Sequence, residues 1–290
     1  MLTRRIIFLM KDLQNYVFRA ALFLILATYA AARVLEVLTS SHPTTTLVAL
    51  DVLSALSFAL VDGTRRYGLR GILVFAALCA LIGNAMENLG IATGFPYGRY
   101  HFLSLMGPKL FNVPVLLGLA YIGMAYVSWT LASAMLNPRA HRLVVPLVAS
   151  LIMVAWDFAQ DPVWSTVLRA WVWHDGGSWF GVPITNYLGW YLTVFLIYTF
   201  FAFFLNRSQT IPRPLPDWPA VAFYVLCAAG NVLQLLSHPA PPTVLDATGH
   251  SWQTASILAA SALVSIFVMG TFAAITVAQM AGSRGETVES

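Results

Sequence analysis

Apolar positions in this chain fall in long uninterrupted blocks separated by short polar stretches, with no sustained alternation of the kind a strand would show. Each block is close to the 20 residues that carry a helix across about 30 Å of hydrocarbon. Eight such blocks predict eight membrane-spanning helices: Val17 to Leu38, Thr44 to Val61, Leu69 to Glu87, Val113 to Leu136, Leu143 to Gln160, Asn186 to Leu205, Trp218 to Ser237 and Gln253 to Gln279. The second and fifth are short, which suggests a tilted, broken or partly protein-covered span. Ile211 to Pro219 holds four prolines in nine residues and is read as a stiff non-helical connection. Ser237-His238-Pro239-Ala240-Pro241-Pro242 is the matching break on the opposite side.

Composition agrees with this pattern. Hydrophobic residues make up 59% of the 290 and charged residues 10%, and mean hydropathy is +0.74. So little polar surface cannot cover a soluble globule of this size, and a single signal-peptide core would not account for eight blocks. The expectation is an all-α integral membrane protein: one polytopic domain over residues 1–281, followed by a polar C-terminal tail over 282–290.

Charge orients the spans. The even-numbered loops and the two termini hold Arg4, Arg5, Lys11, Arg19, Arg65, Arg66, Arg70, Arg139, Arg142, Arg207, Arg213 and Arg284, twelve of the sixteen basic residues. Arg33, Arg99, Lys109 and Arg169 fall on the other side. By the positive-inside rule both termini are cytoplasmic, which requires an even number of spans and favours a multi-pass protein of the bacterial inner (plasma) membrane. The net charge of +4 is therefore an orientation signal, and no nucleic-acid partner is implied. Cys79 and Cys227, both in apolar spans, offer neither a disulfide framework nor a metal-ligand spacing and read as packing residues.

Only twelve carboxylates occur in the chain, and the chemistry is expected where they enter hydrophobic sequence, because an ionisable group at membrane depth is costly. Two loops are opened by such residues and closed by a Val-Pro step. Glu87 lies 27 residues before Pro114, and Asp157 lies 26 before Pro183. Seven residues after each proline comes an aromatic, Tyr121 and Trp190. This predicts a parallel repeat of spans 3–4 and 5–6, related by an axis along the membrane normal, with a site at the repeat interface.

Asp157 and Asp161 share one helix face if the fifth span continues that far, whereas Pro162 predicts that the helix ends at Asp161. If both converge with Glu87, one of the three is expected to stay protonated and serve as a proton donor in a dry pocket. The alternative is that Asp157 and Asp161 pair with Arg99, Lys109 or Arg169 and tie the loops together. The loops carry Tyr97, Tyr100, His101 and Phe102, then Trp164, Trp171, Trp173, Trp179 and Phe180. Aromatic faces stabilise a nearby cation, so this lining suits a carbocation made from a polyene, although Trp and Tyr also gather at headgroup depth regardless of function.

The histidines, among them His42, His101, His141, His174, His238 and His250, form no metal-binding pattern, so no metal is expected. His174 beside Asp175 reads either as a proton relay or as a loop residue bonded to backbone. Asp62, next to Arg65 and Arg66, reads as interfacial, and Asp51 as a deeper, secondary candidate.

The stretches Glu87-Asn-Leu-Gly, Gly94-Phe-Pro-Tyr-Gly-Arg-Tyr-His, Gly107-Pro-Lys-Leu-Phe-Asn-Val-Pro, Asp161-Pro162, Trp171-Val-Trp173 and Phe180-Gly-Val-Pro-Ile-Thr-Asn186-Tyr-Leu-Gly-Trp190 together resemble the membrane carotenoid biosynthesis protein family, of the γ-carotene 1′,2′-hydratase and bisanhydrobacterioruberin hydratase type. The resemblance covers Gly83 to Trp190. It implies addition of water to a terminal isoprenoid double bond of a carotenoid, without redox cofactor or metal, in contact with membrane lipid. The bottom-up reading agrees, since protonating an alkene needs an acid shielded from water and the cation needs stabilisation until water attacks. Asp157 or Asp161 is then the acid and Glu87 its partner or the base that orients water. Tyr97, Arg99, Tyr100, Trp173, His174, Asn186 and Trp190 are the candidate substrate-binding residues. Three other readings remain open on the sequence: a protonation-initiated terpene or polyene cyclase, a non-catalytic carotenoid or lipid carrier, and a proton-coupled transporter.

Overall fold

The computed structural model describes residues 2–39, 44–136, 143–236 and 241–286. His42, Arg139, His141, Arg142, Ser237 and His238 lie outside the described residues, as do the side chains of Arg4, Arg5, Lys11 and Arg284. Helices α1 (Leu2–Thr39), α2 (Thr45–Leu78), α3 (Asn84–Thr93), α4 (Val115–Met135), α5 (Val144–Pro162), α6 (Ile184–Arg207), α7 (Trp218–Leu233), α8 (Thr254–Val264) and α9 (Gly270–Glu286) make up the body. Single π-turns join α2 to α3 at Cys79–Gly83 and α8 to α9 at Ser265–Met269. Seven continuous helical stretches among the described residues are long and apolar enough to cross a membrane.

One of the seven, Thr45–Thr93, is 49 residues long. A straight helix of that length would reach about 70 Å at 1.5 Å per residue, more than twice the hydrocarbon thickness. It does not run straight. Gly68 sits at φ 76° and ψ 167°, outside the helical region, and the chain doubles back there. Thr45 at one end donates to the Leu105 carbonyl at 3.0 Å, and Asn88 near the other accepts from the Asn112 amide, so both ends meet the same loop. Gly63 has no side chain, and the space a Cβ would fill is occupied by Ile72 of the returning arm. The second and third predicted spans correspond to these two arms of one of the seven helical stretches found among the described residues. The second is longer than the sequence suggests because it continues to the reversal.

Helix α4 is the axis of the bundle and packs against α2, α5, α7 and α9. Its residues Ala120 to Ala132 are buried on every side, which fits a helix that is apolar all round. Some polar groups within the bundle pair with one another. Asp62 is 2% exposed and accepts from Tyr126 at 2.5 Å and from Arg66 at 3.2 Å, while Arg66 reaches Asp217 at 2.8 Å. Asp62 is thus a buried strut rather than the interfacial residue expected, because Tyr126 of the central helix reaches it from inside. Cys79 and Cys227 are buried packing residues.

Six short strands, β1 (Tyr100–Phe102), β2 (Lys109–Leu110), β3 (Val113–Pro114), β4 (Trp171–Trp173), β5 (Thr243–Leu245) and β6 (Ser251–Gln253), pair two by two in the loops at one end. The pairing of β1 with β4, register Tyr100 to Trp173, ties the two acid-opened loops to each other. Their closing turns also match. Phe111 and Phe180, each three residues before its proline, both hold left-handed φ, 56° and 51°, an uncommon state for a bulky residue. Each turn is spanned by a bridge, Leu110 to Val113 and Trp179 to Val182.

Candidate active site

Glu87 comes from α3, 3% exposed, and its carboxylate accepts from Tyr121 at 2.6 Å and from Tyr100. Tyr97 extends the chain of hydroxyls, 3.4 Å from Tyr121 and 2.7 Å from Thr193. The Tyr97 ring is held between Gly90 and Gly189, where a Cβ on either would come within 2.6 Å of it. Burial, followed by the Glu87 charge, pushes the Tyr97 and Tyr100 phenols far above their usual values, so both remain O–H donors.

The second acid group comes from α5. Asp157 and Asp161, 4% and 1% exposed, share one helix face because the helix does not stop at Asp161. It continues through Pro162 and a π-turn to Val167. Proline removes the amide that would serve the Phe158 carbonyl, and the Trp179 indole N–H takes that place at 3.4 Å. The Asn186 amide donates to Asp157 at 3.1 Å and to Asp161 at 2.6 Å. Trp171 and Trp173 donate to the other Asp161 oxygen at 3.0 and 3.4 Å. Among the described residues no basic side chain pairs with Glu87, Asp157 or Asp161, so the loop-tying alternative finds no partner. The indoles of Trp171 and Trp173 face the acid, beyond any role at headgroup depth.

The two acid groups meet at a cavity of about 20 Å³ lined by Glu87, Asp161 and Asn186 with the rings of Tyr97, Tyr100, Trp173 and Trp190. A water needs roughly 10–15 Å³ of such volume and a few polar partners, and this chamber offers both. It adjoins a mainly apolar cavity of about 80 Å³, the two sharing Leu117 and Trp171 as wall. Among the described residues no group of three or more His, Cys, Asp or Glu is arranged to hold a metal ion.

The structure therefore brings together Glu87, Asp157, Asp161, Tyr97, Tyr100, Trp173, Asn186 and Trp190. It does not bring in Arg99 or His174. Arg99 is paired on the surface with Asp175, its Nε 2.9 Å from the carboxylate, which holds that carboxyl below its usual range. His174 is exposed and 2.7 Å from His101. Tyr121 and Thr193, which bond Glu87 and Tyr97, were not among the sequence candidates for the site, and Trp171, which lines the chamber, was read there only as part of the aromatic loop lining. Tyr121 carried a signal as the repeat counterpart of Trp190. Thr193 lies seven residues after Asn186, two turns along the same helix face.

A buried acid chamber at the interface of two helix–loop–helix units, inside a bundle of helices long and apolar enough to cross a membrane, defines a polytopic membrane protein. The chain belongs to the carotenoid biosynthesis protein family, whose sequence profile matches residues 44–249. It is similar to the bisanhydrobacterioruberin hydratase of Haloarcula japonica, with 31% identity over 164 residues, 56% of this chain and 53% of that protein. The chain thus spans about half the length of that curated relative. No solved structure matches it.

Proposed function

We propose that this protein is a carotenoid hydratase of the inner (plasma) membrane, adding water across a terminal isoprenoid double bond. The observation that carries the reading is the water-sized chamber that Glu87 and Asp161 line from opposite units, walled by aromatic rings and sharing Leu117 and Trp171 with the neighbouring apolar cavity. The Asp157–Asp161 pair supplies a proton to the less substituted alkene carbon, leaving the positive charge on the tertiary carbon. Tyr100, Trp173 and Trp190 present ring faces or edges to the chamber, where ring quadrupoles offset that charge. Water beside Asn186 attacks the tertiary carbon and gives up a proton to Glu87, whose contacts with Tyr100 and Tyr121 offset the charge it carries before that transfer. One water is consumed, a tertiary alcohol forms, and no electron transfer is needed. Two carboxyl groups thus share donor and acceptor roles, as general acid–base catalysis requires.

Co-expression in a bacterial host that makes lycopene or γ-carotene, followed by mass spectrometry of the extracted pigments, tests this. A product heavier by one water is expected, and it should vanish with Glu87→Ala or with Asp157→Asn and Asp161→Asn together in protein still present in the membrane. An isomer of unchanged mass would assign cyclisation. Unchanged pigment in every host would favour a carrier or transporter.

A further inference from the structure

At the reversal of α2, the end of the bundle opposite the acid chamber, lies a cavity of about 550 Å³, within the roughly 300–1,000 Å³ of small-molecule sites. Its wall comes from three segments: α1 through Phe18, Arg19 and Leu22, α2 through Arg65, and the proline-rich connection into α7 through Leu215 and Trp218. The connection is fixed in place, since the Arg213 amide donates to the Arg66 carbonyl at 2.9 Å and Asp217 pairs with Arg66 at 2.8 Å. Arg65 is held too, by the Asn15 side-chain oxygen and by the Phe18 ring, whose centroid is 4.2 Å from the guanidinium carbon. The wall thus carries two guanidinium groups and no carboxylate. Among the described residues neither Arg19 nor Arg65 pairs with an acid, whereas the neighbouring Arg66 is neutralised by Asp62 and Asp217 and stays out of the wall.

We propose that this cavity is a binding site for a phosphate oxyanion, carried there by the headgroup of an anionic membrane phospholipid. Two like charges around one space repel each other, and an anion between them turns that repulsion into attraction. Guanidinium suits the role because its planar fork meets two phosphate oxygens at once, and Arg65 spends only Nη2 on Asn15. The depth argues for a lipid as the source. Arg19 lies inside the apolar stretch Asp12–Thr39, Arg65 lies just before the Gly68 reversal of Thr45–Thr93, and Trp218 opens Trp218–Leu236, so the cavity sits where three spanning helices end or turn. Trp218, 48% exposed, has the amphipathic ring found at headgroup level, on the side that the basic residues mark as cytoplasmic. Phe18, Leu22 and Leu215 offer the glycerol and first acyl carbons an apolar surface, and basic pockets between spans on that side hold lipid headgroups. A headgroup bonded to Arg19 and Arg65 bridges α1 to α2 and so stabilises the bundle as well as filling the cavity. The site is independent of the hydration reading, which uses the other end of the molecule.

Purified full-length protein in detergent, titrated with phosphatidylglycerol or phosphatidylcholine and read by thermal shift, tests the site. The anionic lipid is expected to bind about 25-fold more tightly, and Arg19→Gln and Arg65→Gln should each remove about 5-fold of that preference. Arg19 is exposed, so its replacement leaves the packing intact even if that of Arg65, which sits on Phe18, does not. Arg207→Gln, a charge at the end of α6 outside the cavity wall, should leave the preference unchanged. Equal affinity for the two lipids would overturn the site. So would an equal loss from Arg207→Gln and Arg19→Gln, which would reveal a general attraction of the basic surface. Inorganic phosphate is expected to give no shift. A shift equal to that from phosphatidylglycerol, abolished by Arg19→Gln, would move the source of the oxyanion from lipid to water and sink the lipid assignment.

Discussion

Tyr121 and Trp190 lie face to face, ring centroids 4.4 Å apart and planes within 4° of parallel. Each stands seven residues after the proline that closes its loop, so counterparts in the two units are in direct contact. The chamber is thus assembled at the junction of the units, with Glu87 bonded to Tyr121 on one side and Asp161 bonded to Asn186, one turn before Trp190, on the other. Neither unit alone encloses the cavity.

The stack separates two contributions of Tyr121. Tyr121→Phe keeps the ring on Trp190 but removes the 2.6 Å hydrogen bond to Glu87. Leaving a buried carboxylate oxygen without that donor costs roughly 1–3 kcal/mol, so the melting temperature in detergent should fall and product formation should drop about 10-fold. Trp190→Leu removes the ring instead. A desolvated cation–aromatic contact is worth about 2 kcal/mol, near 30-fold in rate, and Trp190→Phe should recover most of that loss. If Leu and Phe at this position behave alike in the pigment assay, the ring has no part in stabilising charge.

Tyr97 is positioned by absence of side chains. Gly189→Ala would place a Cβ 2.6 Å from the Tyr97 ring and 3.0 Å from the Pro96 backbone, whereas Gly90→Ala meets only the side chains of Tyr97 and Tyr100. Backbone yields less readily than a ring, so Gly189→Ala should destabilise by about 1–3 kcal/mol and the change at Gly90 by less. Gly118→Ala, with nothing within 4 Å of the added atom, is the control and should leave the melting temperature unchanged or slightly raised.

The membrane class, the pairing of two acid-opened units and most of the chamber were legible in the sequence, because hydrophobic block length and the rarity of carboxylates are strong one-dimensional signals. Glu87, Asp161 and Asn186 stood out for that reason. Arg99 and His174 were drawn in by their neighbours in sequence. A loop strand alternates its faces, so Tyr100 and Trp173 turn inward while Arg99 and His174 turn out. The end of α5 was misjudged since Pro162 is a local helix-breaking signal, and the indole of Trp179 that compensates for it comes from 17 residues further on. Of the cluster that Arg33 forms with Glu36, Asp51 and Asn231, only Asp51 stood out in the sequence, because the cluster joins α1, α2 and α7 across 198 positions.

Asn186 serves both aspartates with one amide. Asn186→Leu is nearly the same size and removes the donor to Asp157 and Asp161 together. Activity should fall by about 100-fold, since a polar site that loses a buried partner is disrupted more than one that loses only packing. Any residual product should shift from hydrated pigment toward pigment of unchanged mass, as the water-holding group is gone. A drop in total conversion with the hydrated fraction preserved would mean that Asn186 only orders the acids.

The contact between the two loops should loosen in mild acid. His101 Nδ1 and His174 Nε2 are 2.7 Å apart, so one ring must donate and the other accept, which fails when both are imidazolium. Partial burial, followed by the positive groups His174, Lys109 and Arg169, holds His101 below its ordinary value. Unfolded, the ring takes its proton near pH 6.5; folded, it resists. Between the two values the unfolded chain binds more protons, so the stabilisation is complete above the ordinary histidine range and is lost as pH falls through the lowered folded value. The amides of Leu103 and His174, bonded to the Ala170 and Arg99 carbonyls at 2.9 and 2.8 Å, report the pairing of β1 with β4. Their hydrogen-exchange protection, corrected for intrinsic rate, should decline between about pH 7 and pH 5, and His101→Gln should flatten that dependence. Protection that stays constant over the range in the unaltered protein would show that the histidine contact does not hold the loops together.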